Sequence, residues 1–406
     1  MRSLIILKGL AKTKKLEWVR KEGLEPFLID IEHLRRLYYR PEFRIDSKEF
    51  LSRSFDDTIY KIFIQVICSH LGTGCLTVID MEDESTTIVE DLALIYGYTI
   101  FYYIDKPPVD YVKKNRRYGG HLYSPISRDV LRKKLLEFNR TTYPDKNIIS
   151  SYQEVELYWR ERENRIAVRE DEPVLHISDL HSHYRILNDR IPSPEDFPLT
   201  VFMGDYIDGP ETNGSRKLMT QILNYEGEDN IIFLEGNHEL RLRKFFGYQY
   251  LKSKGKRIAS EVLLGEISND FLTKTSKEFD DICGSIEPRN WLIKMNEKLL
   301  EYVIYYRGCD KYVCTHAGLK SLDQLSPKFI GNVIYSSRNS ERTDETFSLR
   351  YADSNIYSFH GHCSYPSGLI FCKYPGVVNI DAEDEFSVNY FINNPKNKFN
   401  VCVLKD

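Results

Sequence analysis

The sequence has no CxxC pair, no apolar run long enough to cross a bilayer, and no large excess of either charge. Its eight cysteines are scattered at 68, 75, 283, 309, 314, 363, 372 and 402. That scatter excludes a cysteine zinc cage or a disulfide frame and predicts reduced thiols in a cytoplasmic protein. The opening MRSLIILKGLAKTKK carries a short apolar stretch and no small-residue cleavage site, so neither a signal peptide nor a membrane partner is expected. A net charge of −4 excludes a global basic field, and any contact with nucleic acid must come from local patches.

What is present is a soluble-type composition, 42% hydrophobic and 29% charged, over 406 residues. That length exceeds one ordinary core and predicts two domains. The first 155 residues alternate strand-like and helix-like runs: SLIILKG, KKLEWVRKEG, PFLIDI, DTIYKIFIQVICSHL, CLTVIDM, TIVEDLALIYG and YTIFYYI. Such alternation predicts a parallel α/β sheet. A polar, highly charged stretch over 156–173 reads as a linker, and 174–406 as a second α/β unit. Within it a mostly helical, Lys/Arg-rich insertion is expected over about 240–306, and the final strands are expected to close a second sheet.

The second unit carries five short motifs: Asp179-Leu-His181, Gly204-Asp205-Tyr-Ile-Asp208, Gly236-Asn237-His238-Glu239, His316-Ala-Gly and Gly361-His362. Each follows a hydrophobic run, so each is expected on a loop at a strand end, where hard oxygen and imidazole ligands can converge. Seven of the ten histidines fall between His176 and His362, which concentrates the imidazoles where the carboxylates are. Asp179 and His181 stand at i and i+2, which on an extended segment puts both on one side. A carboxylate shared by two cations, with imidazoles and an amide oxygen around it, is the donor set of two-metal phosphoester hydrolysis.

These motifs, in this order, resemble the calcineurin-like metallophosphoesterase superfamily, which includes Ser/Thr protein phosphatases. The resemblance implies an α/β/α sandwich holding two divalent ions, with Asp179, His181 and Asp205 on one and Asp205, Asn237, His316 and His362 on the other. It implies His238 as general acid, with Asp208 fixing its tautomer. Asp381 matches an acidic position near the family's last strand. Mn²⁺ is the expected ion, although Fe, Zn and Ni also accept mixed His/carboxylate sites. Three departures stand out. Ser182 replaces a common Gly, a second histidine after His362 is absent, and Gly209 stands where protein phosphatases place a phosphate-gripping Arg after the Asp. Arg338, in an aromatic-led segment between the two late histidines, is the expected substitute.

The first unit opens with a strand-turn-helix in which Gly9 and Lys15 survive from a P-loop pattern. Lys14 stands where that pattern has its second Gly, and Leu16 replaces the Mg²⁺-binding hydroxyl. PFLIDIEHLRR resembles the acceptor-side segment of polynucleotide 5′-kinases, with Glu32 and Arg35 as its match and Arg116 and Arg117 as lid candidates. A degenerate P-loop-kinase-like module is therefore expected, with uncertain ATP or GTP binding and doubtful 5′-kinase activity. Kinase-like and phosphoesterase-like units in one chain resemble bacterial and phage polynucleotide kinase-phosphatases. That implies nucleic-acid ends (RNA or DNA) as partners, and a 3′-phosphate or 2′,3′-cyclic phosphate as substrate. A protein phosphatase, a dinucleoside polyphosphate hydrolase and a non-catalytic repair scaffold stay open as alternatives. Candidate basic patches are Lys12, Lys14 and Lys15; 113–117; Arg241, Arg243 and Lys244; and 252–257.

Overall fold

The computed structural model describes residues 1–9, 14–31, 33–34, 53–80, 86–107, 132–133, 135–136, 138, 147–163, 165–227, 229–280, 287–334, 340–362, 373–381, 387–393 and 400–405. Glu32, Arg35, Arg116, Arg117 and Arg338 lie outside these residues, as do Lys12 and positions 113–117. Among the described residues no helix is long and apolar enough to cross a membrane.

The first module is built on β1 (Ser3–Lys8), β2 (Leu28–Asp30), β3 (Thr77–Asp80), β4 (Thr99–Ile104) and β5 (Ile148–Ile149). They form one sheet in the order β2-β3-β1-β4-β5, and every pairing is parallel. β1 is buried along nearly its whole length, as expected of a central parallel strand covered on both faces. Its alternate residues serve two cores. Leu4 and Ile6 pack under α2 (Arg53–Gly72) and α3 (Thr87–Tyr96), whereas Ile5 and Leu7 pack with Trp18 and Val19 of α1 (Lys15–Lys21) and Val155 of α4 (Tyr152–Arg160).

The second module stacks two sheets. The first runs β10 (Leu299–Leu300), β9 (Ile231–Leu234), β8 (Leu199–Phe202), β7 (Val174–Ser178), β15 (Ser387–Asn393), β16 (Asn400–Lys405). The second runs β14 (Val377–Asn379), β13 (Ile356–His360), β12 (Asp310–Thr315), β11 (Tyr302–Arg307), β6 (Arg165–Val168). Period-2 alternation assigns the faces. Leu199, Val201, Val303 and Tyr305 share the inter-sheet core. Phe202 faces a helical layer that includes α5 (Tyr184–Asp189) and α6 (Gly214–Leu223), while Ile304 faces Phe347 of α11 (Ser340–Tyr351). The β layer of the expected α/β/α sandwich is thus doubled.

Three local expectations change. The stretch 156–173 contains the end of α4 and then β6, which joins the second sheet beside β11. The helices of this stretch are α7 (Asn237–Ser253), α8 (Arg257–Glu266), α9 (Asn269–Thr273) and α10 (Pro288–Lys298), and Leu299–Leu300 and Tyr302–Arg307 are strands. The final hairpin β15–β16 pairs with β7 and so completes the first sheet, not the second. Phe391 of β15 faces the inter-sheet core and Tyr390 the helical layer, so that strand is buried on both faces.

One apolar core is continuous between the modules, running from Phe63, Leu92 and Tyr96 to Phe246, Leu263 and Trp291. Inside it lies a charged cluster. Arg2 Nη2 donates to Glu235 Oε2 at 2.7 Å and Arg2 Nη1 to the Tyr96 carbonyl at 2.6 Å, while Arg243 Nε reaches Glu235 Oε1 at 2.5 Å. Buried charges persist when each is paired and hydrogen-bonded in this way.

Candidate metal and phosphate site

The five motifs sit at the C-terminal ends of β7, β8, β9, β12 and β13. These ends meet on one edge of the stacked sheets because β7, β8 and β9 are mutually parallel, as are β12 and β13. Six site-loop residues adopt the left-handed backbone that L side chains rarely enter: Asp179, His181, Ser182, Asp205, Asp208 and His362. Asp179 and His181, with φ of 51° and 38°, are therefore on a tight turn and not on an extended segment. The turn is held from below, since the His181 and Ser182 amides donate to the Asp205 and Tyr206 carbonyls, each at 2.9 Å.

Glu239, the last residue of the third motif, ties two loops together. Its carboxylate accepts the backbone amides of Asp205, Tyr206 and Gly236 at 2.9–3.0 Å. Burial and then the adjacent Asp205 push Glu239 above the usual carboxylate range. Gly236 is needed for this approach, because a Cβ there would fall 2.2 Å from Asp205 Oδ1. In the sequence Glu239 is visible as part of a motif, but without a role.

Two groups of potential ligands share Asp205: His181, Asp205 and His238, and Asp205, His316 and His362, the ligand atoms of each lying within 4.8 Å of one another. His316 shows why a cation fits. Its Nδ1 is 2.7 Å from the Met203 carbonyl, so that nitrogen carries the proton and Nε2 presents a lone pair. Asn237 Oδ1 at 3.0 Å, His362 Nδ1 at 3.1 Å and Asp205 Oδ2 at 3.4 Å converge on that same Nε2. An amide oxygen, a carboxylate oxygen and two imidazole nitrogens gathered this closely are a donor set that fits a divalent cation. Burial disfavours a positive charge on His316, but Asp205 and Asp179 outweigh it and raise the imidazole to about 10, so a proton stands in for the metal. His362 is pushed down by burial and by His316. His181 Nδ1, 3.1 Å from the Ile207 carbonyl, likewise leaves Nε2 as the ligand atom.

Asp179 is buried beside this cluster, accepting from the Ser178 hydroxyl and, at 3.2–3.3 Å, from the His362 amide. His238 stands in the first group where the resemblance implied Asp179. Its Nδ1 is 2.9 Å from Asp208 Oδ2 and its Nε2 is 3.7 Å from Asp205 Oδ2. Asp208 also accepts from Arg241 Nη1 at 2.8 Å and from the Thr275 hydroxyl. Burial alone would raise Asp208; the His238 and Thr275 hydrogen bonds outweigh it and hold the carboxyl below its usual range. Burial would lower His238, but Asp205 and Asp208 raise it. Sequence reasoning placed neither Arg241 nor Thr275 in this site. Arg241 stands three positions after His238, the spacing that shares a helix face, whereas Thr275 comes from the insertion without a local signal.

The other departures have structural reasons. Ser182 Oγ accepts the Gly209 amide at 2.9 Å and bonds Ser215 Oγ at 2.7 Å, so the hydroxyl in place of Gly fastens the loop after Asp208. His360 is buried and 2.9 Å from Asp344 Oδ1, a support beneath the Gly361-His362 turn. Asp381 follows β14, and its carbonyl accepts from Asn389 at 2.9 Å.

Several basic candidates are consumed internally. Arg243 is buried against Glu235, and Lys244 is 2.8 Å from Glu266. Lys15 is buried, with Nζ 2.7 Å from Asp80 Oδ1 and 3.2 Å from the Gly9 carbonyl. These residues are not available to a nucleic-acid backbone, because the modules' packing pairs them.

The family model for calcineurin-like phosphoesterases matches residues 172–377, just over half of the chain. Among solved structures, the chain is similar to a metallophosphoesterase from Sphaerobacter thermophilus, at 15% identity and a TM-score of 0.31, covering 58% of this chain and 88% of that one. It is also similar to a cold-active protein-tyrosine phosphatase of a psychrophilic Shewanella species, at 14% identity and a TM-score of 0.30, covering 64% and 86%. No match was found among curated proteins.

Proposed function

This chain belongs to the calcineurin-like phosphoesterase family, and from that premise we propose that it hydrolyses phosphate esters at nucleic-acid 3′ ends, a 3′-phosphate or a 2′,3′-cyclic phosphate. The hydrolytic part rests on one observation: ligand-type atoms of Asp205, Asn237, His316 and His362 converge beside a hydrogen-bonded His238–Asp208 pair. When bound, two divalent cations (Mn²⁺ as the first choice) neutralise phosphate charge and make a water acidic enough to attack phosphorus. Asp179, His181 and Asp205 would hold one ion, and Asp205, Asn237, His316 and His362 the other.

The chain's own residues do the rest. Asp208 accepts the Nδ1 proton of His238 and so fixes the imidazole with Nε2 on the Asp205 side. From there a protonated His238 donates to the leaving ester oxygen as it departs. Glu239 keeps the Asp205 and Gly236 loops in register, so donor and ligands stay at fixed separation.

The choice of nucleic-acid ends rests on the N-terminal module (about 1–155), where β1 of the parallel sheet ends at Lys8, just before Gly9, and α1 opens at Lys15. We read it as a degenerate kinase-like platform. Lys15 is engaged by Asp80 and by the Gly9 carbonyl, so it is not presented to a nucleotide phosphate. Transfer of the ATP γ-phosphate to a 5′-hydroxyl oligonucleotide would overturn that reading.

The substrate test is a panel run with the Mn²⁺-loaded protein: 3′-phosphate RNA, 2′,3′-cyclic phosphate RNA, a phosphopeptide and a diadenosine polyphosphate. Faster turnover of the RNA ends is expected, and preference for phosphopeptide or dinucleotide refutes the end-specific reading. His238→Ala is expected to slow alkoxide leaving groups by about 10²–10⁴-fold while sparing aryl phosphates. Equal losses on both would remove His238 from the acid role.

A further inference from the structure

The protein-phosphatase pattern places an Arg directly after the second-motif Asp, and here that position is Gly209. A Cβ at 209 would fall 1.4 Å from the His181 carbonyl oxygen, no farther than a covalent bond. The Gly209 amide is itself fastened to Ser182 Oγ at 2.9 Å, so the loop has no slack. No side chain can leave the chain at this point without dismantling the turn that carries His181. A guanidinium serving the phosphate has to come from elsewhere.

Arg241 meets that requirement. It lies on the same face of α7 as His238, three residues on, and its Nη1 is 2.8 Å from Asp208 Oδ2 and 3.2 Å from His238 Nδ1. Nδ1 already donates to Asp208, so the Arg241 contact that counts is the one to the carboxylate. Only Nη1 is engaged: among the described residues Nε and Nη2 have no hydrogen-bond partner. The side chain is 42% exposed, against 18% for His238 and 11% for Asp208, so the guanidinium reaches solvent beside the His238–Asp208 pair. Asp208 therefore holds one arm of a planar five-donor group and leaves the other edge for a ligand. Two parallel N–H donors on one edge match two oxygens of a phosphate, the pairing for which Arg is better suited than Lys.

We propose that Arg241 is the phosphate-gripping arginine of this site, replacing from helix α7 the clamp that Gly209 cannot carry. The proposal rests on the phosphoesterase reading and adds a substrate-binding residue to it. Asp208 then serves twice. It orients His238 and it parks Arg241 beside the acid, so the leaving oxygen and the non-bridging oxygens are met from one helix face. The ligand is a phosphate that turns two non-bridging oxygens to one edge of the guanidinium, which a 3′-phosphate and a 2′,3′-cyclic phosphate both can do.

Arg241→Ala, Arg241→Lys and Thr275→Val decide the matter. Thr275→Val is the control, since it removes another donor to Asp208 without touching the guanidinium. With Mn²⁺-loaded protein, Arg241→Ala is expected to raise KM for a 3′-phosphate oligonucleotide and to weaken product inhibition by inorganic phosphate, each by about 10–100-fold. Arg241→Lys is expected to keep most of that loss, because a point charge cannot grip in two places. Thr275→Val is expected to leave phosphate inhibition within about twofold, and millimolar guanidinium to restore part of the activity of Arg241→Ala. A fall in kcat shared by Arg241→Ala and Thr275→Val, with phosphate inhibition unchanged in both, would reduce Arg241 to an orienting group and overturn the proposal. Calorimetry with inorganic phosphate separates the two levels of failure. Hydrolysis with phosphate affinity unaltered by Arg241→Ala overturns the grip alone. Phosphate binding that Arg241→Ala abolishes, in a wild-type protein that hydrolyses nothing, supports the grip and overturns the phosphoesterase reading.

Discussion

Arg2 Nη2 lies 2.7 Å from Glu235 Oε2, so a residue of the chain's N-terminus, just ahead of β1, is tied to the one immediately before the Gly236-Asn237-His238-Glu239 turn. Both side chains are buried, and Arg243 closes the cluster from α7. The module in front is thereby part of the foundation of the candidate metal site, not an appendage to it.

Two changes test that foundation. Arg2→Met should lower unfolding stability by roughly 3 kcal/mol, the low end for breaking a buried pair, because Arg243 still faces Glu235. Burial alone would raise the Glu235 carboxyl, but Arg2 and Arg243 outweigh it and hold it below the ordinary Glu value. A depressed carboxylate stabilises the fold fully above its unfolded pKa and loses that contribution as pH falls through the folded one. Urea melts should therefore show acid destabilisation below the ordinary Glu range, and the slope should be shallower in Glu235→Gln. An unchanged slope in that variant would remove Glu235 as its source.

Gly209→Arg should not restore a protein-phosphatase-like clamp. The new Cβ collides with the His181 carbonyl, so the first metal loop must move. Overpacking of this kind is expected to destabilise by about 3 kcal/mol or more and to weaken metal binding. Thermal melts with and without Mn²⁺ check both. A variant as stable as wild type, with improved phosphate affinity, would contradict the steric account.

Metal removal should leave a fold that is less stable and more protonated. Without a cation, Asp205 and Asp179 raise the His316 imidazole to about 10, so it carries a proton at neutral pH. Rebinding an ion must release that proton, and apparent affinity should rise with pH. Calorimetric titration of the stripped protein with Mn²⁺, in two buffers of different ionisation enthalpy, reads the release directly. Identical heats in both would show that no proton leaves.

Much of the site is legible along the chain. Strand runs ending at Asp179, Asp205, Asn237, His316 and His362 predict a shared edge, and the strands do end there. The parallel first sheet follows from its alternating pattern in the same way. Less legible is anything set by a partner distant in sequence. Arg243 and Lys15 read as members of basic patches, yet both are buried against carboxylates. The segment 299–306 reads as part of a helical insertion, yet it supplies strands to two sheets. The final hairpin reads as an extra sheet and instead pairs with β7.

The ligand chemistry is written in the chain itself: which oxygens and imidazoles exist, in what order, and on which strand ends, because these follow from residue type and local periodicity. Folding in three dimensions settles which lone pairs face one another, which cations are neutralised and where an arginine can stand. Those outcomes depend on sub-ångström clearance, as at Gly209, and on charges that meet only after folding, as Arg2 meets Glu235 across 233 positions. Sequence periodicity carries information about faces and not about such encounters.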